Sequence, residues 1–245
     1  MIYRLSAISI KSLLFAFEKK PSRDLPQSTR VRKLHLHSIS WNVLLSLSIL
    51  LPAFSSAQLY KLDRSTEQEL SEDRKSWETR TCRFFSNSTN DVSLAIPLSL
   101  YVLGAIKDKK ELKQNALYLS ESLVFSTAVT FALKYSIRRP RPYVQDSLII
   151  KAGAGGGYSF PSGHTSQAFA VATSLALAYP KWYVIAPAYV WASWVAYSRM
   201  YLGVHYPTDI LGGIIVGSGS AILTYKVNKW MEDKHKPKRL TTFLY

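Results

Sequence analysis

Six apolar runs, set apart by polar or basic stretches, constrain this chain more than any other feature of its sequence. They cover Trp41–Ala57, Val92–Ile106, Leu117–Leu133, Ser166–Tyr179, Tyr183–Tyr197 and Ile210–Tyr225. A helix needs about 17–25 apolar residues to cross a hydrocarbon core, and these runs come close to or reach that length. In lipid the backbone polar groups of such a run must be satisfied internally, which a helix does. The expected architecture is therefore all-α, a polytopic helical membrane bundle of five or six spanning helices. Trp and Tyr recur near the ends of the runs, in the manner of an interfacial belt. The mean hydropathy of −0.01 hides this segmentation, because polar residues concentrate in the first forty positions, two loops and the tail.

The net charge of +15 permits nucleic acid or anionic lipid as a partner. Lipid is favoured: the basic residues lie largely beside apolar runs, and no nucleic-acid motif is visible. The single cysteine, Cys82, has no internal disulfide partner and no metal-ligand spacing, and reads as a free thiol in a loop.

Five regions are expected. Residues 1–40 form a basic leader on the cytoplasmic side, either an interfacial helix or a disordered arm. Residues 41–57 are a signal peptide or a first spanning helix. Residues 58–90 are a polar extracytoplasmic loop, in which Asn87-Ser88-Thr89 fits a glycosylation acceptor only weakly. Residues 91–226 form the helical catalytic domain, and residues 227–245 a basic cytoplasmic tail. Alternating sides from a cytoplasmic leader puts the Lys107–Lys113 loop and the tail inside, as the positive-inside rule asks. The same alternation brings three charged blocks to the opposite face.

These blocks sit at the mouths of apolar runs, where ionisable residues are costly unless they pair or bind something. They are Lys134 through Arg141-Pro142, then Pro161-Ser162-Gly163-His164, then Ser198-Arg199 through His205 to Asp209. Arg141 and Arg199 offer forked donors suited to phosphate oxygens, and Lys134 a point charge. Ser162 and Gly163 open a helix whose N-terminal N–H groups form an anion site. His205 stands one helical turn before Asp209, which can hold one ring nitrogen and leave the other free to attack phosphorus. His164 is then the general acid for the leaving oxygen. No metal or other cofactor is expected, since cations already face the phosphate. Taken singly, each element also has a plain structural reading: Lys134, Arg138, Arg139 and Arg141 as a membrane-edge cluster, Ser162 as a cap, Asp209 as a dipole partner. Gly153-Ala154-Gly155-Gly156-Gly157 lacks the Lys-Ser/Thr of a P-loop and reads as a lid or a linker.

Lys134-x6-Arg141-Pro142, Pro161-Ser162-Gly163-His164 and Ser198-Arg199-x5-His205-x3-Asp209 together resemble the three-part signature of the type 2 phosphatidic acid phosphatase superfamily. The resemblance extends over Val92–Tyr225 and not to residues 1–40. It implies a membrane fold usually of six spans and metal-independent hydrolysis through a phosphohistidine. His205 is then the nucleophile, His164 the acid and Asp209 the support of the nucleophile, while Lys134, Arg141, Ser162, Gly163 and Arg199 bind phosphate. The expected function is a phosphatase acting on a lipid phosphate or diphosphate of the undecaprenyl diphosphate, phosphatidylglycerol phosphate, phosphatidic acid or lipid A type. Its expected place is the periplasmic face of a bacterial inner membrane, with self-association left open. The competing readings are a secreted nonspecific acid phosphatase, a vanadate-type haloperoxidase, a transporter of phosphorylated lipid and a catalytically silent protein that binds anionic lipid.

Overall fold

The computed structural model describes residues 56–235. The basic leader, almost all of the 41–57 run and the last residues of the tail lie outside them. Seven helices are present among the described residues: α1 (Ser56–Glu72), α2 (Ser76–Ile106), α3 (Lys110–Ile137), the single turn α4 (Pro142–Gln145), α5 (Gly163–Ala178), α6 (Trp182–Tyr201) and α7 (Pro207–His235). Among the described residues, three stretches are long and apolar enough to cross a membrane: Ser76–Ile106, Lys110–Gln145 and Pro207–Lys234.

The inward faces of α2 and α3 are mostly small and polar, while their outward faces are large and apolar. In α2 the buried stripe is Cys82, Ser86, Thr89, Ser93, Pro97 and Gly104, while Phe84, Leu94, Leu98 and Tyr101 face outward. Leu119, Ser122, Ser126 and Thr130 line the inward face of α3 in the same way. Lipid tails are as apolar as Leu, so close backbone approach rather than expulsion of oil holds such helices together. The closest approach joins α5 to α7. A Cβ on Gly213 would lie 2.8 Å from the Ser162 carbonyl oxygen, and one on Gly217 would run into the Ser166 carbonyl. Gly219, grouped with them by sequence, faces open space instead. α5 lies at the centre, in contact with α2, α3, α6 and α7.

Residues 58–90, expected as a loop, are helical: α1 and the first turns of α2. The sequence hides this because α1 is inverted. Asp63, Glu67 and Ser71, four residues apart, face inward and are buried, whereas Leu59, Tyr60 and Leu62 face outward. A polar stretch with that pattern scores as loop by composition, yet its spacing is that of one helix face. Cys82 and the Asn87-Ser88-Thr89 pattern accordingly lie within α2, not in a loop; Cys82 and Thr89 are buried and Ser88 accepts a bond from Trp191.

The ends of α3 and α6 and the beginnings of α5 and α7 meet at one end of the bundle. α3 stops at Ile137 because Arg138 turns left-handed (φ 51°) and Pro140 cannot continue a helix. Pro142 opens α4 and Pro207 opens α7, each at the first helical position where a missing N–H costs nothing. The Ser162 N–H donates to the Asp209 carbonyl at 3.0 Å, tying the two helix starts together.

Candidate active site

All eight sequence-designated residues converge at this end. His205, in the short link between α6 and α7, is at the centre and is 1% exposed. Its Nδ1 faces Asp209 Oδ2 at 3.4 Å and its Nε2 faces Arg141 Nη1 at 3.3 Å. A guanidinium can only donate, so Nε2 accepts and Nδ1 carries the proton toward the carboxylate. That tautomer leaves Nε2 unprotonated, with its lone pair turned toward Arg141. Burial holds the imidazole below its ordinary range, opposed by the Asp209 bond and reinforced by the charges of Arg141 and Arg199. His205 is therefore neutral near pH 7.

Asp209 is fully buried and saturated. Oδ2 accepts from the Tyr206 N–H at 3.0 Å and from the Ser159 hydroxyl, while Oδ1 accepts from Arg139 at 2.7 Å. The Tyr206 bond reaches back from the third residue of α7 to the residue before it, as in a capping box. The carboxylate thus has one rotamer, and with it the His205 ring has one orientation.

The three cations that face the histidines are all held by one loop. Arg141 donates to the carbonyls of Gly156 at 2.7 Å, Gly157 at 3.1 Å and Val204 at 2.9 Å. Lys134, in the last turn of α3, donates to those of Tyr158 at 2.8 Å and Ser159 at 3.2 Å. Arg199, in the last turn of α6, donates to Ala154 at 2.7 Å and to the Ser86 hydroxyl of α2. The glycine-rich stretch is thus a strap across the cations, its carbonyl oxygens accepting their N–H groups. Ser162 and Gly163 stand at the start of α5, and Ser162 is fully buried, with its hydroxyl accepting from Thr165 at 2.9 Å. His164 follows in the first turn, within electrostatic reach of Arg199, Arg141 and Lys134.

Four contributors were not singled out in the sequence. Arg139, taken there as part of a membrane-edge cluster, bridges Asp209 and, at 2.6 Å, Asp63 of α1. Asp63 also accepts from the Thr208 N–H at 3.0 Å and its hydroxyl at 2.5 Å, so α1 caps α7 from outside. Ser159 and Ser86 steady Asp209 and Arg199. None carries a local signal; each is identified by a partner far along the chain.

The chain resembles known phosphatases over these same helices. It is 34% identical over 112 residues to a lipid A 1-phosphatase of Rhizobium etli, covering 44% of this chain and 47% of that one. It is 31% identical over 120 residues to an undecaprenyl-diphosphatase of Sulfolobus acidocaldarius, 48% of this chain and 57% of that protein. The chain spans about half the length of these curated relatives. Among solved structures, a PAP2-type phosphatidylglycerolphosphate phosphatase from Bacillus subtilis shares the fold with a TM-score of 0.59 and 22% identity, over 81% of this chain and 98% of that one. Residues 115–232 match the model of the PAP2 superfamily, a stretch that runs from the second turn of α3 into the last turns of α7 and includes every designated site residue. Over that segment, just under half of the chain, the protein is similar to the PAP2 superfamily.

Proposed function

We propose that this protein hydrolyses the phosphate ester or diphosphate of a membrane lipid through a phosphohistidine on His205. The observation that carries the reading is the alignment Asp209–His205–Arg141, in which one ring nitrogen is held by a carboxylate and the other is directed at a phosphate-type cation. His205 Nε2 attacks phosphorus, the bond from phosphorus to the lipid oxygen breaks, and His164 donates a proton to that oxygen. Water then attacks the phosphohistidine, His164 takes its proton, the P–N bond breaks and inorganic phosphate leaves. Arg141, Arg199, Lys134 and the N–H groups at the start of α5 stabilise the charge spread over the equatorial oxygens. Phosphate oxygens replace the loop carbonyls on these cations as substrate enters.

Substrates of the lipid A, undecaprenyl diphosphate, phosphatidylglycerol phosphate and phosphatidic acid types all present this group. The site faces the periplasmic side of a bacterial inner membrane, the orientation that leaves the Lys107–Lys113 loop in the cytoplasm. The test is phosphate release from each lipid in detergent with EDTA present, comparing wild type with His205→Ala. Release that survives EDTA and vanishes in the variant, together with acid-labile phosphate trapped on the wild-type chain, is the expected result. Equal release from both proteins removes His205 as nucleophile.

A further inference from the structure

A cavity of about 430 Å³ opens between α2, α3 and α5 directly beneath the site. Its position follows from the register of the three helices. Ser86 of α2 touches Arg199, and Asn90 lies one turn further into the membrane with Leu94 a turn below it. On α3, Thr127 lies about 10 Å below Lys134 and Val124 about 15 Å below, at 1.5 Å per residue. On α5, Gln167 stands one turn below His164. The groove therefore starts under the phosphate position and descends into the apolar region.

Its lining is unusual for that depth. Asn90, Ser93, Thr127 and Gln167 present two amides and two hydroxyls to it above an apolar floor that includes Leu94 and Val124. The Ser93 hydroxyl is buried without a partner among the described residues. The side chains of Asn90, exposed along the groove, and Gln167, half-buried, make no hydrogen bond among the described residues. Polar groups at membrane depth are costly unless satisfied, and a plain hydrocarbon chain satisfies none of these.

Resting on the phosphatase reading above, we infer that this groove takes the tail of the substrate, and that the tail it fits is an acyl chain carrying ester, amide or hydroxyl groups near the phosphate. The two amides donate to a carbonyl one turn below the phosphate, and the hydroxyls bond to either kind of group. A polyprenyl chain has neither and leaves all four unmet. A site built to hydrogen-bond a substrate rejects an isostere that lacks the group far more strongly than an apolar pocket does.

The experiment measures kcat/KM of the full chain in mixed micelles on three lipids: a diacylglycerol phosphate, the dialkyl ether phosphate of equal chain length and a polyprenyl phosphate. Wild type is expected to favour the diacyl lipid over both others by roughly tenfold or more. In the double variant Asn90→Leu/Gln167→Leu that ratio falls to near one. A second variant, Ala128→Trp at the groove wall, raises the ratio of short-chain to long-chain diacyl turnover about tenfold, the effect of filling a tail site. Equal rates on the diacyl and dialkyl lipids in wild type overturn the inference, as does a diacyl preference untouched by the double variant. Failure of wild type on all three lipids overturns the phosphatase reading itself, and the inference with it.

Discussion

Asp63 and Asp209 share one guanidinium: Arg139 donates one terminal nitrogen to Asp209 at 2.7 Å and the other to Asp63 at 2.6 Å. The same guanidinium lies 4.1 Å above the Tyr206 ring. Helix α1, outside the family match, is in this way part of the mechanism that orients His205. Charged pairs buried this deeply are costly to break singly, because the remaining partner is left uncompensated.

Asp63 is accordingly a positioning residue. Asp63→Ala should lower kcat roughly tenfold while KM changes little, since phosphate contacts are untouched and only His205 loses its fixed orientation. Asp63→Ala combined with Arg139→Ala should cost far less than the sum of the two changes, a coupling that a cycle of steady-state rates measures. Additive losses would assign the two residues separate roles.

The strap over the cations has no room for a side chain at Gly155, where an added Cβ would come within 2.7 Å of Arg141 Nη1 and 3.3 Å of Val204 Cγ1. Gly155→Val should push Arg141 aside and reduce kcat/KM by about tenfold or more on every lipid phosphate. Gly156, with nothing near its Cβ position, should tolerate Ala with far less loss. Rates of the two variants side by side decide the matter.

Acid should reach the nucleophile late. In the proposed mechanism the neutral form of His205 reacts, and burial, assisted by Arg141 and Arg199, holds its folded-state value below the ordinary 6.5. The acid limb of a kcat/KM profile should therefore lie well below pH 6.5. A limb at the ordinary histidine value would mean that the ring is solvated in the working enzyme.

Glu67 faces inward on α1, with both carboxyl oxygens unpartnered among the described residues. Burial raises it to about 9, with the nearby carboxylates Asp209 and Asp63 adding to the rise and Arg74 opposing it. The folded chain then holds one more proton than the unfolded chain between the ordinary value of 4.5 and about 9. Stability supplied below that window is lost as pH rises through it. Melting of wild type in detergent should fall by several degrees from pH 5 to pH 9, and Glu67→Gln should flatten the curve. Parallel curves would show that Glu67 is ionised in the fold.

Hydropathy and helix-end chemistry alone determined the class of fold and marked out the residues proposed to react. A run of apolar residues has few states open to it in lipid, and Pro140, Pro142 and Pro207 mark helix ends by local sterics. His205 and Asp209 lie one turn apart, so their pairing is a property of any helix start. Lys134, Arg141, Ser162, Gly163, His164 and Arg199 were legible for a related reason: ionisable or anion-binding groups at apolar boundaries are too costly to be common.

Only the tertiary structure decided how charges were shared out. Lys134, Arg138, Arg139 and Arg141 are alike in sequence, yet Arg141 meets the histidine, Arg139 the carboxylates and Arg138 the left-handed turn that ends α3. The inverted helix α1 was illegible because its inward face is polar, and what favours burying it is distant: Arg139 and Thr208 across from Asp63, and the Ile150 N–H across from Ser71. Helical periodicity is written locally, in a few neighbouring residues. Which anion satisfies which cation depends on segments that the bundle brings together from distant parts of the chain.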